Sequence, residues 1–553
     1  MEHKYFCLVL HSHIPYVVGH GSWPHGTDWL YEAAAESYLP LADVLIRLKE
    51  EGISPQVTIS FTPVLADQLK SPVFVAGFDA YLAMQAAAAA SDRQYFEKTG
   101  QREFIPLATF WQGWYERLRR DFFERYRGDI IGTFKDLQDE GDIEVIASAA
   151  THGYFPLLSR DESITDQVRQ GILTYRRYFG QEPKGFWLPE CAYRPGYAWS
   201  RPLGGQSRYP RRGVDELLKD EGFVYFFVDS YLLKGGEARG VYADRFPALK
   251  ELWEKFNEQY TPTGEIERTP YLPYFAHPSG LAFFVRDEIS GAQVWSRFVG
   301  YPGDGSYLEF HKKHFPGGLR YWKITSAGSD LADKEPYDPE GSVWKMDEHA
   351  DHFVGVLEQR LAGRPAGTVV SLYDTELFGH WWFEGPEWLY RILKKASASR
   401  VRPLTASRCL ERIPAQTLIS LPEGSWGKGG FHWIWMNEDT SWIWEKIYRI
   451  EDLAASLDIP VLTRTEELKR ILRQFRREKF LLESSDWPFL ISTWSARDYA
   501  ERRAAEHSER AAVLGRWLRR GQELNAGEAA LLDSWENEDR LFEEIIESHG
   551  RAL

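Results

Sequence analysis

Along the first two-thirds of the chain, short apolar runs alternate with stretches whose apolar positions recur every three or four residues. "YFCLVLHSH" predicts a first strand, "YLPLADVLIRLKEEG" a helix closed by Gly52, and "SPQVTISFTP" a second strand. "FEKTGQREFIPLATFWQGWYERLRRDFFERYRGDIIGTFKDLQDEG" reads as mostly helix, and "IEVIASAATHG" as the next strand. "ESITDQVRQGILTYRRYFG" is a further helix before the short strand "GFWLPE", and "GVDELLKDEG" leads into the strand "FVYFFVDS". "GLAFFVRDE", "GTVVSLYDTELFG" and "VRPLTASRCL" complete the strand set. Such alternation predicts an α/β fold, a parallel sheet covered by helices, and the length favours closure into a barrel. Beyond about residue 420 every periodic segment is helical.

Two stretches break the rhythm. "YRPGYAWSRPLGGQSRYPRRG" (193–213) reads as a Pro-, Gly- and Arg-rich loop, and 234–274 is a long excursion with one amphipathic helix. Excursions of that length are usually lids or small inserted domains.

Composition narrows the class. The 553 residues are 43% hydrophobic, enough for a large core and more than one domain. A net charge of −15 excludes the basic surface that draws nucleic acid or anionic lipid. Cys7, Cys191 and Cys409 give no CxxC pair and no disulfide framework, which suits the cytoplasm. No signal-peptide pattern opens the chain, and no run approaches the ~20 apolar residues of a membrane helix. The chain is expected to be soluble and cytoplasmic, and monomeric. Its 22 tryptophans are the unusual feature. About half are expected in the core. Many others sit beside Gly, Pro, His or Asp, as in "GSWPHGTDWL", "GHWWFEGPEW" and "GSWGKGGFHWIWMNEDTSWIW". Aromatic faces among polar groups suit sugar rings, whose faces are apolar and whose edges are hydroxyls.

Four strands end in polar residues: the first in His11 and His13, the third in His152, the fourth in Glu190, and "VVSLY" in Asp374 and Glu376. In a parallel barrel these ends share one rim, where catalytic groups sit. Two carboxylates with aromatic platforms and no cofactor motif suggest glycosidic chemistry, one acid attacking the anomeric carbon while the other protonates the leaving oxygen. A retaining enzyme sets them about 5–5.5 Å apart. Other readings stay open. Glu190 could pair with Arg194, Asp374 could cap "TELFGHWWF" and leave Glu376 as the acid, and His152 could be a buried structural histidine. His11 and His13 could bind metal, as in a metal-dependent polysaccharide deacetylase. The second histidine pair of that class, four apart on a helix, is missing; "HKKH" and "DEHADH" are spaced by three in what read as charged helices. Sugar contacts are favoured, with no metal or other cofactor. Neither "GGQ" nor "GKGG" has phosphate-loop spacing. A non-catalytic glucan-binding protein is a further alternative.

"HSHIPY", "ATHGYFPLL", "GFWLPECAY", "SLYDTELFGHWWFEGPEWL" and "SSDWPFLIS", in this order across nearly the whole chain, resemble glycoside hydrolase family 57. Within it, "RDEISGAQVWS", "GYPGD" and "GSWGKGG" look most like the 1,4-α-glucan branching enzymes, and the family's amylases and 4-α-glucanotransferases share much of the pattern. The resemblance implies a (β/α)7 barrel in segments 1–193 and 271–415, an inserted small domain and lid loop over 194–270, and a helical domain over 416–553. It implies an α-glucan substrate, with Glu190 as nucleophile and Asp374 as general acid/base in a retaining transglycosylation. His11, His13 and His152 then line the donor site, Trp23, Trp29, Trp295, Trp426 and Trp435 surround the cleft with Arg286, Asp486 closes it, and Tyr242 tips the lid loop. "ISTWSARDY" carries Trp494 where related sequences often have a small or polar residue.

Overall fold

The computed structural model describes residues 3–204, 207–233, 246–260, 268–296 and 299–545. At its centre run seven parallel strands, β1 (His3–Ser12), β2 (Val57–Phe61), β3 (Ile143–Ser148), β4 (Gly185–Trp187), β5 (Tyr225–Val228), β6 (Ala282–Val285) and β7 (Ala366–Asp374). Parallel ladders join them in the order β7-β1-β2-β3-β4-β5-β6. Between β6 and β7 the described residues form no ladder. There the Asp287 amide donates to the Val370 carbonyl at 2.8 Å, and the Ser290 and Ser371 hydroxyls meet at 2.7 Å. The sheet thus curls into the expected barrel with a loosely stitched seam.

Strand periodicity sorts the side chains into two compartments. Cys7, Val9, Ile146, Trp187, Phe227, Phe284, Val370 and Leu372 point inward and pack together. Their neighbours Phe6, Leu8, Leu10, Phe186, Phe226, Phe283 and Val369 join the larger core beneath the helices. A one-residue slip would exchange the two sets, and each exposed Leu or Phe would forfeit about 1.5–3 kcal/mol. The same alternation carries inward-pointing positions past the apolar plug: His11 after Val9, Asp374 after Leu372, Asp229 after Phe227, Arg286 after Phe284. The site is therefore built on the fold's own period.

Helices cover the barrel. Asp161–Phe179 shows why such a segment forms: Asp161 and Glu162 meet its positive end, Arg176 and Arg177 its negative end, and Gly180 closes it at φ 68°. The helix Pro72–Thr99 departs from the membrane expectation: by length and composition it could cross a bilayer. Here it packs along Ile105–Glu124, burying Phe74, Phe78, Leu82 and Phe96. Its Asp92 accepts from Tyr321 and pairs with His314 at 2.9 Å. Among the described residues six further helices, Ser441–Ala455, Ile459–Leu462, Glu466–Leu482, Asp486–Ser492, Arg497–Arg520 and Ala526–Glu538, form the C-terminal helical region.

Three local expectations need correcting. Within 193–213 the chain makes an antiparallel pair, Tyr197–Trp199 with Tyr209–Arg211, because Trp199 buries completely with the Arg211 guanidinium 5.3 Å from its ring. "HKKH" is not helical; His314 is drawn to Asp92 and bridges to Leu319. In "VRPLTASRCL" only Arg402–Pro403 pairs as strand, and Ala406–Arg412 is a helix that plugs the barrel floor with Ala406 and Cys409. In the excursion the amphipathic helix is Pro247–Asn257, while Tyr242 lies outside the described residues.

Candidate active site

The inward positions at the C-terminal ends of the strands open into a cavity of about 600 Å³. Its lining includes His11, His13, Trp29, His152, Glu190, Arg286, Trp295, Asp374, Trp426, Trp435 and Asp486, so eleven of the thirteen site residues proposed from sequence converge. Trp23 does not line it; that side chain is 79% exposed. Tyr242, as noted, is not described.

Glu190 is held where a strand cannot continue. After Trp187, Pro189 ends the pairing, and Glu190 adopts φ 60° and ψ 23°, a left-handed conformation costing a non-glycine residue about 1–3 kcal/mol. The turn aims its carboxylate into the cavity. Trp426 donates its indole N–H to Oε2 at 2.8 Å, and Ser485 its hydroxyl to Oε1 at 3.3 Å. Burial is the main cause that raises this carboxyl to about 7, the Trp426 bond opposing it and the Asp374 and Asp486 charges adding to it. Arg194 does not pair with Glu190. It is fully buried and donates to the carbonyls of Pro195 and Arg212.

Asp374 stands in register with His11 across the β1–β7 ladder. The turn Thr375–Leu377 that follows receives no side-chain cap from it, so the carboxylate is left for the cavity. Burial and the nearby Glu376 charge push its affinity for a proton well above the usual aspartate range, against the pull of Arg286. Glu376 also sits in the lining, at about 7 through burial, and accepts from the Tyr38 hydroxyl and the His13 amide. Two acids with raised proton affinity, one holding an indole donor, are chemically suited to serve as nucleophile and proton carrier in one chamber.

The three histidines form a stack over Trp187. His11 lies 4.6 Å from the Trp187 ring, and His152 is 4.9 Å from His11 and 4.2 Å from His13. His11 Nε2 meets His152 Nε2 at 3.0 Å, while their Nδ1 atoms face Ser60 and Ser485. Burial, then the neighbouring imidazoles, lowers both well below the ordinary histidine range, so one donates and the other accepts as neutral rings. His13 bonds Thr62 and Asp486, 2.8 Å to the latter. Burial would raise Asp486, but the His13 charge and hydrogen bond outweigh it and hold the carboxyl below its usual value. His152 is thus both buried and part of the cavity wall.

These imidazole nitrogens are already engaged by one another, hydroxyls and Asp486. Among the described residues, the group whose ligand atoms could gather round a metal ion is instead His20, His507 and Asp539, all buried. There Arg510 pairs with Asp539 at 2.6 Å and Arg503 donates to His507 at 3.0 Å, two guanidinium charges that oppose a cation. The cluster ties the loop after β1 to the C-terminal helices.

The sequence reading passed over two aromatic residues of the chamber wall, Trp381 and Phe489, and a buried carboxylate behind it, Asp229. Asp229, at the end of β5, pairs with Arg286 at 3.2 Å and so fixes the cation that faces Asp374. The strand-end rule applied to "FVYFFVDS" would have found it. Trp381, 53% exposed and stacked on Phe310 at 4.6 Å, forms one wall. Phe489, from Asp486–Ser492, forms another.

Residues 7–422 match glycosyl hydrolase family 57, and residues 446–548 match the 1,4-alpha-glucan branching enzyme C-terminal family. A 1,4-alpha-glucan branching enzyme of Thermococcus kodakarensis is 41% identical over 548 residues, 98% of this chain and 78% of that protein. The crystal structure of a family 57 branching enzyme from Pyrococcus horikoshii is 40% identical, with TM-score 0.87 and coverage of 98% and 96% of the two chains. An α-amylase structure from Thermotoga maritima is 27% identical, with TM-score 0.77 over 98% of each chain. This chain belongs to glycoside hydrolase family 57.

Proposed function

We propose that this chain is a 1,4-α-glucan branching enzyme: it cleaves an α-1,4 bond and rejoins the released segment in α-1,6 linkage. One observation carries the reading. Glu190 and Asp374 face the same aromatic-walled chamber, each with its proton affinity raised by burial. The full-length similarity to enzymes named for branching supports the choice of acceptor.

In the first half-reaction the Glu190 carboxylate forms a bond to the anomeric carbon. The bond from that carbon to the glycosidic oxygen breaks, and Asp374 gives that oxygen its proton. In the second, the 6-hydroxyl of another glucan unit attacks the same carbon from the face the leaving chain vacated. Asp374 takes the hydroxyl proton, Glu190 leaves as carboxylate, and the configuration is retained. Arg286, fixed by Asp229, faces the cavity as a donor to sugar hydroxyls, while the neutral, mutually bonded His11–His152 pair forms wall without supplying a competing proton.

Hydrolysis or 4-α-glucan transfer requires only that water or a 4-hydroxyl replace the 6-hydroxyl, and the likeness to an α-amylase keeps that reading in view. Incubation with amylose, counting α-1,6 linkages against reducing ends, tests the choice. New branches should exceed new reducing ends; the reverse ratio favours the amylase reading.

A further inference from the structure

The cavity wall supplied by Asp486–Ser492 does not stop at the cavity. Asp486, Phe489 and Leu490 line it, a stripe at helical spacing. The helix ends at Ser492, and the chain turns out of it through Thr493 and Trp494. Trp494 is 71% exposed, its amide donating to the Ile491 carbonyl at 3.2 Å. It adopts φ 57°, a conformation in which a bulky side chain is a rare outlier. One side of its indole is held by Arg497, whose guanidinium carbon lies 4.5 Å from the ring centroid. Arg497 is itself fixed by Glu501 at 2.8 Å and Asp439 at 3.2 Å. The helix after the turn therefore braces the ring from behind, and the rest of the indole stands in solvent.

A large apolar surface left in water, on a strained backbone and pre-ordered by an anchored cation, gains little from burial. Its arrangement does match what a sugar ring needs: a flat, immobilised face whose ordering cost is already met before the ligand arrives. Asp439 lies on the loop that follows Ile434 and Trp435, two further lining residues, so the brace is anchored to the same wall. Phe489, 39% exposed, bridges the interior to this outer ring.

We propose that Trp494 is an outer glucan subsite, a stacking platform for α-glucan units that extend beyond the cavity mouth along the C-terminal wall. It rests on the α-glucan reading of the cavity but not on whether the product is branched. Short maltooligosaccharides that fill only the chamber would not reach Trp494, whereas long amylose would. Loss of one aromatic stacking face corresponds to about a fivefold loss of affinity.

The test compares Trp494→Asn, which suits the left-handed backbone, and Trp494→Phe with the parent. KM is measured for long amylose and for a short maltooligosaccharide, and binding of both is measured by calorimetry in a Glu190→Gln background. The Asn variant should raise the long-to-short KM ratio, and the matching ratio of dissociation constants, about fivefold, with Phe restoring most of it. A parental ratio, or equal weakening of long and short chains, overturns the subsite. If amylose yields no branches yet the ratio still moves, the branching reading fails and the subsite stands. If neither oligosaccharide nor amylose binds the parent, both fall.

Discussion

Trp426 holds Glu190 at both ends: its indole N–H donates to Oε2 at 2.8 Å, and its backbone N–H donates to the Glu190 carbonyl at 3.2 Å. The indole bond opposes the effect of burial and keeps the Glu190 carboxyl at about 7, within reach of ionisation. In the proposed mechanism Glu190 is the nucleophile and must be ionised, so the acid limb of kcat/KM should report this group. Trp426→Phe keeps a ring against Trp187 and Trp295 but removes the donor. Loss of one hydrogen bond to a carboxylate disfavours the charged form, so the acid limb should move upward by about one pH unit. An unmoved limb in the pH–rate profile would show that the bond does not tune the nucleophile.

In the same proposed mechanism the alkaline limb belongs to the proton donor, Asp374. Asp374 is raised by burial first and by the Glu376 charge second. Glu376→Gln removes that charge while leaving an oxygen for the Tyr38 hydroxyl and the His13 amide. With the repulsion gone, the Asp374 proton is lost more easily, and the alkaline limb should move to lower pH. The two carboxyls interact, so the limbs are properties of the pair, and the informative observation is opposite movement in the two variants. A shift of the Glu376→Gln alkaline limb to higher pH would reverse the assignment of its charge effect.

What could be read from the chain followed from the strand period. Cys7, Val9, His11 and His13 alternate along one segment, Val370, Leu372 and Asp374 along another, and Glu190 ends a third apolar run, so the period alone sets two acids 184 positions apart on one rim. Where a segment's form depends on a partner far away, the pattern was silent. Trp199 becomes a strand residue because Arg211 covers it, and His314 leaves helical geometry for Asp92. Trp381 was visible as an aromatic beside glycine and histidine, yet its stacking on Phe310 is a tertiary fact. Asp229 is different. It sat at a strand end in plain view and was passed over.

Glu190→Gln and Asp374→Asn probe the two half-reactions. Asp374→Asn should lower kcat by about 10²–10⁴-fold with a natural leaving group, and by much less with an activated one that needs no proton. Glu190→Gln should abolish transfer with either leaving group while glucan binding, read by calorimetry, persists. Because the two acids act on one bond, the double variant should be little worse than Glu190→Gln alone. Additive losses would mean that they serve separate steps or separate sites.

Arg320 connects the barrel wall to the rim. It pairs with Glu36 at 2.6 Å and donates to the His380 carbonyl at 3.2 Å, while Glu36 also meets the His380 ring at 2.9 Å. All three are buried, and His380 precedes the wall residue Trp381. Burial would raise the Glu36 carboxyl, but the Arg320 charge and the His380 hydrogen bond outweigh it and hold it below its usual value. Its contribution to stability is therefore present above the ordinary glutamate range and lost as pH falls through the depressed value. Arg320→Met removes the guanidinium partner of a buried carboxylate and leaves it the His380 bond alone, a change worth up to about 3–5 kcal/mol. The variant should unfold at a lower denaturant concentration at neutral pH, and the gap to the parent should narrow under acid as Glu36 takes up its proton. A deficit independent of pH would place the loss in packing and not in the ion pair.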